Sequence, residues 1–372
     1  MKKILFTVFI TGLICISCYN KKPKEYKFSL KKDTISIDTM LKTTFLDFSS
    51  INEINDSIFI CFKPAMSSYM YTYYYKNEQM LFLKKDKLLE SYLNKENGKI
   101  TSAILISRDS IIFSQERLLS IYNLKSKEII FKYIQTDTSL IYITDRNQPY
   151  YYDKINKLLI LYIINSQGQE KSNRISDIEC IAELNLRTNK LKILPINLSE
   201  DYNTDKIYLP FNDPYYAVND HYILTAYGIS PDINIYDRLS GKSSFKTLKH
   251  KYYSEIKGIP KDSAKYKDYL INVITKSFRY FKLIYDKHNN VFYRFYELSM
   301  DKERKGDGLL YTYSDKAMGV NIIDDKFNVI DDIILEGIHL PPNWSSTSAG
   351  LLQLTTTKDS RYVLSKLNIE EK

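Results

Sequence analysis

The chain is poor in the residues that build reactive and metal sites. Among 372 residues there are only four His, four Cys and 11 Gly, and none stands where chemistry would need it. His221, His250, His288 and His339 occur singly, without the HExxH spacing that turns two imidazoles to one helix face. The cysteines lack paired zinc spacing, so no metal centre is expected. No glycines form a phosphate-cradling loop, a dinucleotide fingerprint or a nucleophile elbow, so no cofactor is expected either. The stretch KERKGDGLLY (Lys302 to Tyr311) reads as an inter-strand loop. Long apolar runs are also missing: Ile4 to Ile16 falls short of the roughly 20 residues a spanning helix needs.

What is present at the start is an export signal. Lys2 and Lys3 precede the apolar run, and Ser17 and Cys18 follow it, which is the layout of a secretory signal peptide. A small residue directly before Cys18 resembles the lipobox of bacterial lipoproteins. By that resemblance residues 1–18 are the lipoprotein signal and Cys18 carries the acyl chains, palmitate among them. Cys15 stands where the lipobox usually has Leu, and a plain secretory signal with an incidental Cys18 is the alternative.

The formal net charge is +9, and its placement argues against a nucleic-acid partner. Lys2 and Lys3 contribute +2; six Lys against Glu25 over residues 19–32 contribute +5. Residues 33–372 are near neutral. We read 19–32 as a basic tether, either lying on anionic headgroups or simply solvated, and 33–372 as the folded domain. Within the domain Cys61 and Cys180 each sit in an apolar run. They are expected to be free, buried and apolar in behaviour, with a disulfide as the alternative.

The domain reads as all-β. Thirty-three Tyr suit half-buried strands, and strand-like runs recur: SIFICF from Ser57, SIIFS from Ser110, KLLILYII from Lys157, HYILTAY from His221, VFYRFYEL from Val291 and GLLQLTT from Gly350. Each is followed by a hairpin with Asn, Asp, Lys, Ser, Thr or Gly at its tip, which is turn chemistry. Six repeats of a few strands predict a six-bladed β-propeller. Tandem β-sandwiches are the alternative. Insertions are expected at 199–215 and 249–283. Within the second, Tyr266, Tyr269, Leu270, Val273 and Ile274 follow an Asp262 or Ser263 cap at helical spacing, predicting one short helix. Residues 33–48 are expected to supply the strand that closes the ring.

The segments IYDKHNNVFYRFYEL (Ile284 to Leu298), GVNIIDDKFNVIDDIIL (Gly319 to Leu335) and SAGLLQL (Ser348 to Leu354) resemble an uncharacterised family of Bacteroidetes lipoproteins similar to TolB-like six-bladed propellers. That resemblance implies lipidation at Cys18 and supplies no catalytic residue. In such bacteria surface lipoproteins carry acidic residues after the lipidated cysteine. Tyr19 to Lys24 is basic here, which implies the periplasmic face of the outer membrane.

The ligand candidates are aromatic. Strand alternation puts Tyr69, Tyr71, Tyr73 and Tyr75 on one face, able to stack on sugars if exposed and ordinary packing if not. Tyr150 to Tyr152, Tyr215 and Tyr216 are further aromatic clusters. The paired carboxylates Asp324 with Asp325 and Asp331 with Asp332 should diverge to opposite faces of one hairpin. The function expected is a non-catalytic envelope scaffold that binds a protein or glycan. The alternative is a polysaccharide-active enzyme whose carboxylates converge from different blades in the central funnel.

Overall fold

A computed structural model of the chain describes residues 26–35, 46–64, 67–88, 100, 102–115, 118–134, 140–142, 150–165, 181–196, 206–207, 214–248, 250–255, 259–260, 276–300, 316–335, 344–356 and 362–371. They form six antiparallel sheets and one small ribbon, and the six sheets are the blades of a propeller. Blade 1 is Leu46–Ile54, Ser57–Pro64, Tyr69–Lys76 and Gln79–Lys87; blade 2 is Ser102–Ser107, Ser110–Gln115, Leu118–Asn123 and Glu128–Ile134. In blade 3, Leu140–Tyr142 and Tyr151–Asp153 both pair with Leu158–Asn165, followed by Ile181–Asn185 and Lys190–Ile193. Blade 4 is Tyr215–Val218, Tyr222–Ala226, Asp232–Asp237 and Lys242–Thr247; blade 5 is Arg279–Asp286, Val291–Glu297, Met318–Ile323 and Val329–Leu335. The six recurring runs of the sequence are the second strands of the six blades.

Why a propeller and not a pair of sandwiches follows from burial. A sandwich strand hides one face, whereas Ser57–Pro64 and Val291–Glu297 are buried along nearly their whole length. Alternation then feeds two different seams. Ile58, Ile60 and Phe62 pack with Leu352, Leu354 and Leu364 of blade 6; Phe59 and Cys61 pack with Leu105, Ile111 and Phe113 of blade 2. Each of the remaining seams has its own apolar cluster. A fully buried side chain of this kind contributes about 1.5–3 kcal/mol, so every blade is held from both sides. Fourth strands such as Lys242–Thr247, exposed over most of their length, form the rim.

Ring closure differs from the sequence expectation. Blade 6 is Ser345–Thr347, Gly350–Thr356 and Tyr362–Glu371, completed by Tyr26–Ile35, with Tyr26 opposite Glu371 and Ile35 opposite Tyr362. The closing strand therefore comes from 26–35 and not from 33–48, and residues 26–32 of the basic stretch belong to the sheet. The physical reason lies in alternation: Tyr26, Phe28 and Leu30 pack against the seam between blades 5 and 6. On the other face Lys27 and Lys31 reach Glu370 at 3.7 Å and Glu78 at 2.9 Å. A high lysine content hides an ordinary period-two strand. The helix expected around Asp262 to Phe278 falls mostly on 261–275, outside the described residues.

The two faces of the ring are built differently. First-to-second and third-to-fourth strand connections lie on one face, here called the turn face, and are short: in blade 1 they are two-residue turns with both residues at positive φ, and elsewhere many are capped by side chains. Asn123, Asp153, Asn185, Asp237 and Asp286 each accept hydrogen bonds at Oδ1 from amides two and three residues on, the Asx geometry. The residue that re-enters the strand has positive φ: Lys127, Lys157, Asn189, Gly241 and Asn290. The other connections leave their strands at the opposite or loop face; of the expected insertions, residues 199–205, 208–213, 249, 256–258 and 261–275 lie outside the described residues, and 279–283 belongs to the first strand of blade 5. There Lys206–Ile207 pairs with Ile259–Pro260, joining the segments that flank blade 4.

Candidate functional site under the loop face of blade 5

A group of buried polar side chains lies where blade 5 meets the loop face. Register sets it up: Arg279 opens the first strand opposite Glu297, the last residue of the second, and Glu297 faces Met318 across the third. The Arg279 guanidinium donates two parallel hydrogen bonds to Glu297, Nε to Oε2 at 2.7 Å and a terminal nitrogen to Oε1 at 2.6 Å. Lys316 Nζ lies 3.2 Å from the same carboxylate, and the Glu297 and Lys316 side chains are fully buried. Burial, reinforced by the neighbouring Arg279 charge, pulls the Lys316 ammonium down to about 8 despite Glu297.

A second group faces blade 4. Arg294, wholly buried, lies with its guanidinium 3.5 Å from the Tyr280 ring centroid. It donates to the carbonyls of Pro231 at 2.8 Å and Ser230 at 2.6 Å, so one side chain fixes the loop-face connection of blade 4. Beside it His250 Nδ1 is 2.9 Å from Asp332 Oδ2, and the Tyr296 hydroxyl donates to Asp332 Oδ1. The imidazole is nearly enclosed by rings, with its centroid 4.5 Å from that of Tyr296 and 5.5 Å from that of Phe278. Burial and the Asp332 carboxylate push the Tyr296 hydroxyl well above its ordinary range. Burial pushes Tyr280 up to about 12. Gly319 makes the Tyr296 pose possible, because a Cβ there would collide with the Tyr296 ring.

A third cluster lies on the turn face. Glu53 is the last residue but one of the first strand of blade 1, and its side chain is 3% exposed. Its Oε2 is 3.0 Å from Lys287 Nζ and 2.7 Å from His288 Nε2, both on the first turn of blade 5. Burial works to raise this carboxyl, but Ser348, Lys287 and His288 hold it down to about 2.

The sequence candidates fall as follows. Tyr71, Tyr73 and Tyr75 do share a face with Tyr69, and that face is the seam between blades 1 and 6: three are buried and Tyr69 packs against the cluster. They are interior packing. Tyr151 and Tyr152 lie on the first strand of blade 3, just after the buried Tyr150, and Tyr215 and Tyr216 on that of blade 4. Cys61 is free and buried, and burial raises its thiol to about 12. Cys18 and Cys180 lie outside the described residues. Asp331 and Asp332 do diverge: Asp331 accepts from the Tyr26 amide on one side at 2.9 Å, and Asp332 takes His250 on the other. The Arg279, Glu297, Lys316 and Arg294 network was missed by sequence reasoning. Its one signal was a charge inside an apolar strand, as with Arg294 in VFYRFYE.

Six radial blades with long connections on one face and capped turns on the other define a six-bladed β-propeller. The chain belongs to the family described as a domain of unknown function, DUF4221, whose model matches residues 25–331. A crystal structure of a DUF4221 member from Bacteroides vulgatus is similar, with 16% identity, a TM-score of 0.67, and coverage of 94% of this chain and 100% of that one. Weaker similarities are to a putative exported protein from Bacteroides fragilis (9% identity, TM-score 0.49, 92% and 96% covered) and to a luciferin-regenerating enzyme (10% identity, TM-score 0.45, 91% and 95% covered). No curated protein matches the chain.

Proposed function

We propose that this propeller is a lipid-anchored scaffold of the bacterial envelope. Cys18 carries the acyl chains, and the loop face recognises a protein or glycan partner. The observation that carries the reading is the asymmetry of the faces. The turn face is closed by short capped turns. The described ends of the connections between second and third strands and between successive blades lie at the loop face, and beneath it Arg294 holds the Ser230 and Pro231 carbonyls and Glu297 holds Arg279 and Lys316. A rigid ring with variable loops on one side suits recognition. The basic residues after Cys18 favour the periplasmic side of the outer membrane.

The hydrolase alternative needs two carboxylates roughly 5–9.5 Å apart in an open concave site. The buried carboxylates described above have other tasks: Glu297 is held by Arg279 and Lys316, Asp332 by His250 and Tyr296, Glu53 by Lys287 and His288. Two measurements test the reading. A palmitate analogue should label the chain and fail to label Cys18→Ala. A photo-crosslinking residue at exposed Ser299 on the loop face should capture a discrete partner from the intact envelope, while one at exposed Thr188 on the turn face should not. Capture only from Thr188 overturns the assignment of the recognition face.

A further inference from the structure

Topology fixes where an anchor at Cys18 would leave the ring. In blades 1 to 5 the third strand runs into a turn on the turn face. The third strand of blade 6 ends at Glu371, and the closing strand begins opposite it at Tyr26. The chain preceding Tyr26 therefore departs from the turn face. The eight-residue step from Cys18 to Tyr26 spans at most about 28 Å when fully extended, so an anchored propeller holds its turn face close to the bilayer and its loop face outward.

Blades 3 and 4, on the far side of the ring from blade 6, present two large apolar side chains at turn tips on that same face. Ile155 and Leu239 are each 84% exposed. Their turns are tied together by Arg238, which donates to Asp153 Oδ2 at 2.9 Å, and within blade 3 Arg187 donates to the Ile155 carbonyl at 3.4 Å. Next to them a cavity of about 480 Å3 lies between blades 2 and 3 at the turn face, floored by Ile121, Phe131 and Leu186. It is rimmed by Lys154, Lys157 and Arg187, and among the described residues no carboxylate lines it. The nearby carboxylates are Asp153, paired with Arg238 and bonded to turn amides, Asp237, which accepts the Leu239 and Ser240 amides and keeps its charge, and Asp220, whose carbonyl accepts from Arg238. Exposed apolar tips beside the three cations Lys154, Lys157 and Arg187 match an anionic lipid surface, whose interface accepts the first and attracts the second.

We propose that the turn face of blades 3 and 4 is a second membrane contact, seating Ile155 and Leu239 in the headgroup region of an anionic bilayer. The anchor at blade 6 and this seat together hold the ring flat. The proposal rests on the anchor reading above. It is tested with the full-length acylated chain in vesicles of anionic phospholipid with brominated acyl chains, using Ile155→Trp, Leu239→Trp and loop-face Ser299→Trp. The buried Trp344 is the common background. Emission from positions 155 and 239 should be strongly quenched and that from 299 should not, and Lys154→Glu with Arg187→Glu should remove most of the quenching. Acylation with quenching at 299, or at none of the three, overturns the seat and leaves the anchor standing. Absence of acylation at Cys18 overturns both.

Discussion

Gly319 is a residue chosen by its neighbour. The Tyr296 ring crosses the third strand of blade 5 directly over it to reach Asp332, so Gly319→Ala must displace the ring. Overpacking of this kind costs about 1–3 kcal/mol, and denaturant unfolding should show that loss. It should be largely relieved in a Tyr296→Leu background, since the two sites share one volume. Equal costs in both backgrounds would refute the steric account. Glu53 offers a test by pH. A carboxyl more acidic folded than unfolded stabilises the fold above its unfolded value and loses that contribution as pH falls through its folded value. With Glu53 lowered from 4.5 to about 2, the stability advantage of the native chain over Glu53→Gln should be constant above pH 4.5 and should shrink towards pH 2. Paired unfolding curves across that window measure it.

At the scale of elements, the closing strand Tyr26–Ile35 contributes ten residues of pairing to the edge of blade 6. Its apolar side chains seal the seam with blade 5. A chain beginning at residue 26 should melt like the parent by circular dichroism and remain monodisperse on gel filtration if the parent is so. One beginning at residue 36 exposes an unpaired strand edge, a template for association, and should lose its cooperative melt or aggregate. The sequence concealed this strand because lysine dominates 19–32 and period two is easily missed under such charge. The turns were more legible. Asn or Asp opening a turn of Lys, Ser, Thr or Gly is a local signal, and local backbone hydrogen bonding satisfies it.

For the whole molecule, closure makes the ring one cooperative unit, since each blade is held by two neighbours and none is terminal. Trp344, the single tryptophan, is 3% exposed and packs in the seam between blades 5 and 6. Its fluorescence transition on denaturation should coincide with loss of far-ultraviolet circular dichroism. A separate, earlier fluorescence transition would mean that blade 6 opens alone. The second strands of all six blades were readable because burial on both faces makes them continuous apolar runs. The site under blade 5 was not, because Arg279, His250, Lys316 and Asp332 are brought together from different connections and strands.

The sequence by itself determined the β class, the sixfold recurrence of the second strands, the turn chemistry and the divergence of Asp331 from Asp332. All of these depend on neighbours within a strand or hairpin. Tertiary structure alone decided that the Tyr69 to Tyr75 stripe faces a seam, that residues 26–35 close the ring, and that His250 meets Asp332. Those outcomes depend on which surface packs against which, and pairing across tens or hundreds of residues leaves no local periodicity to read.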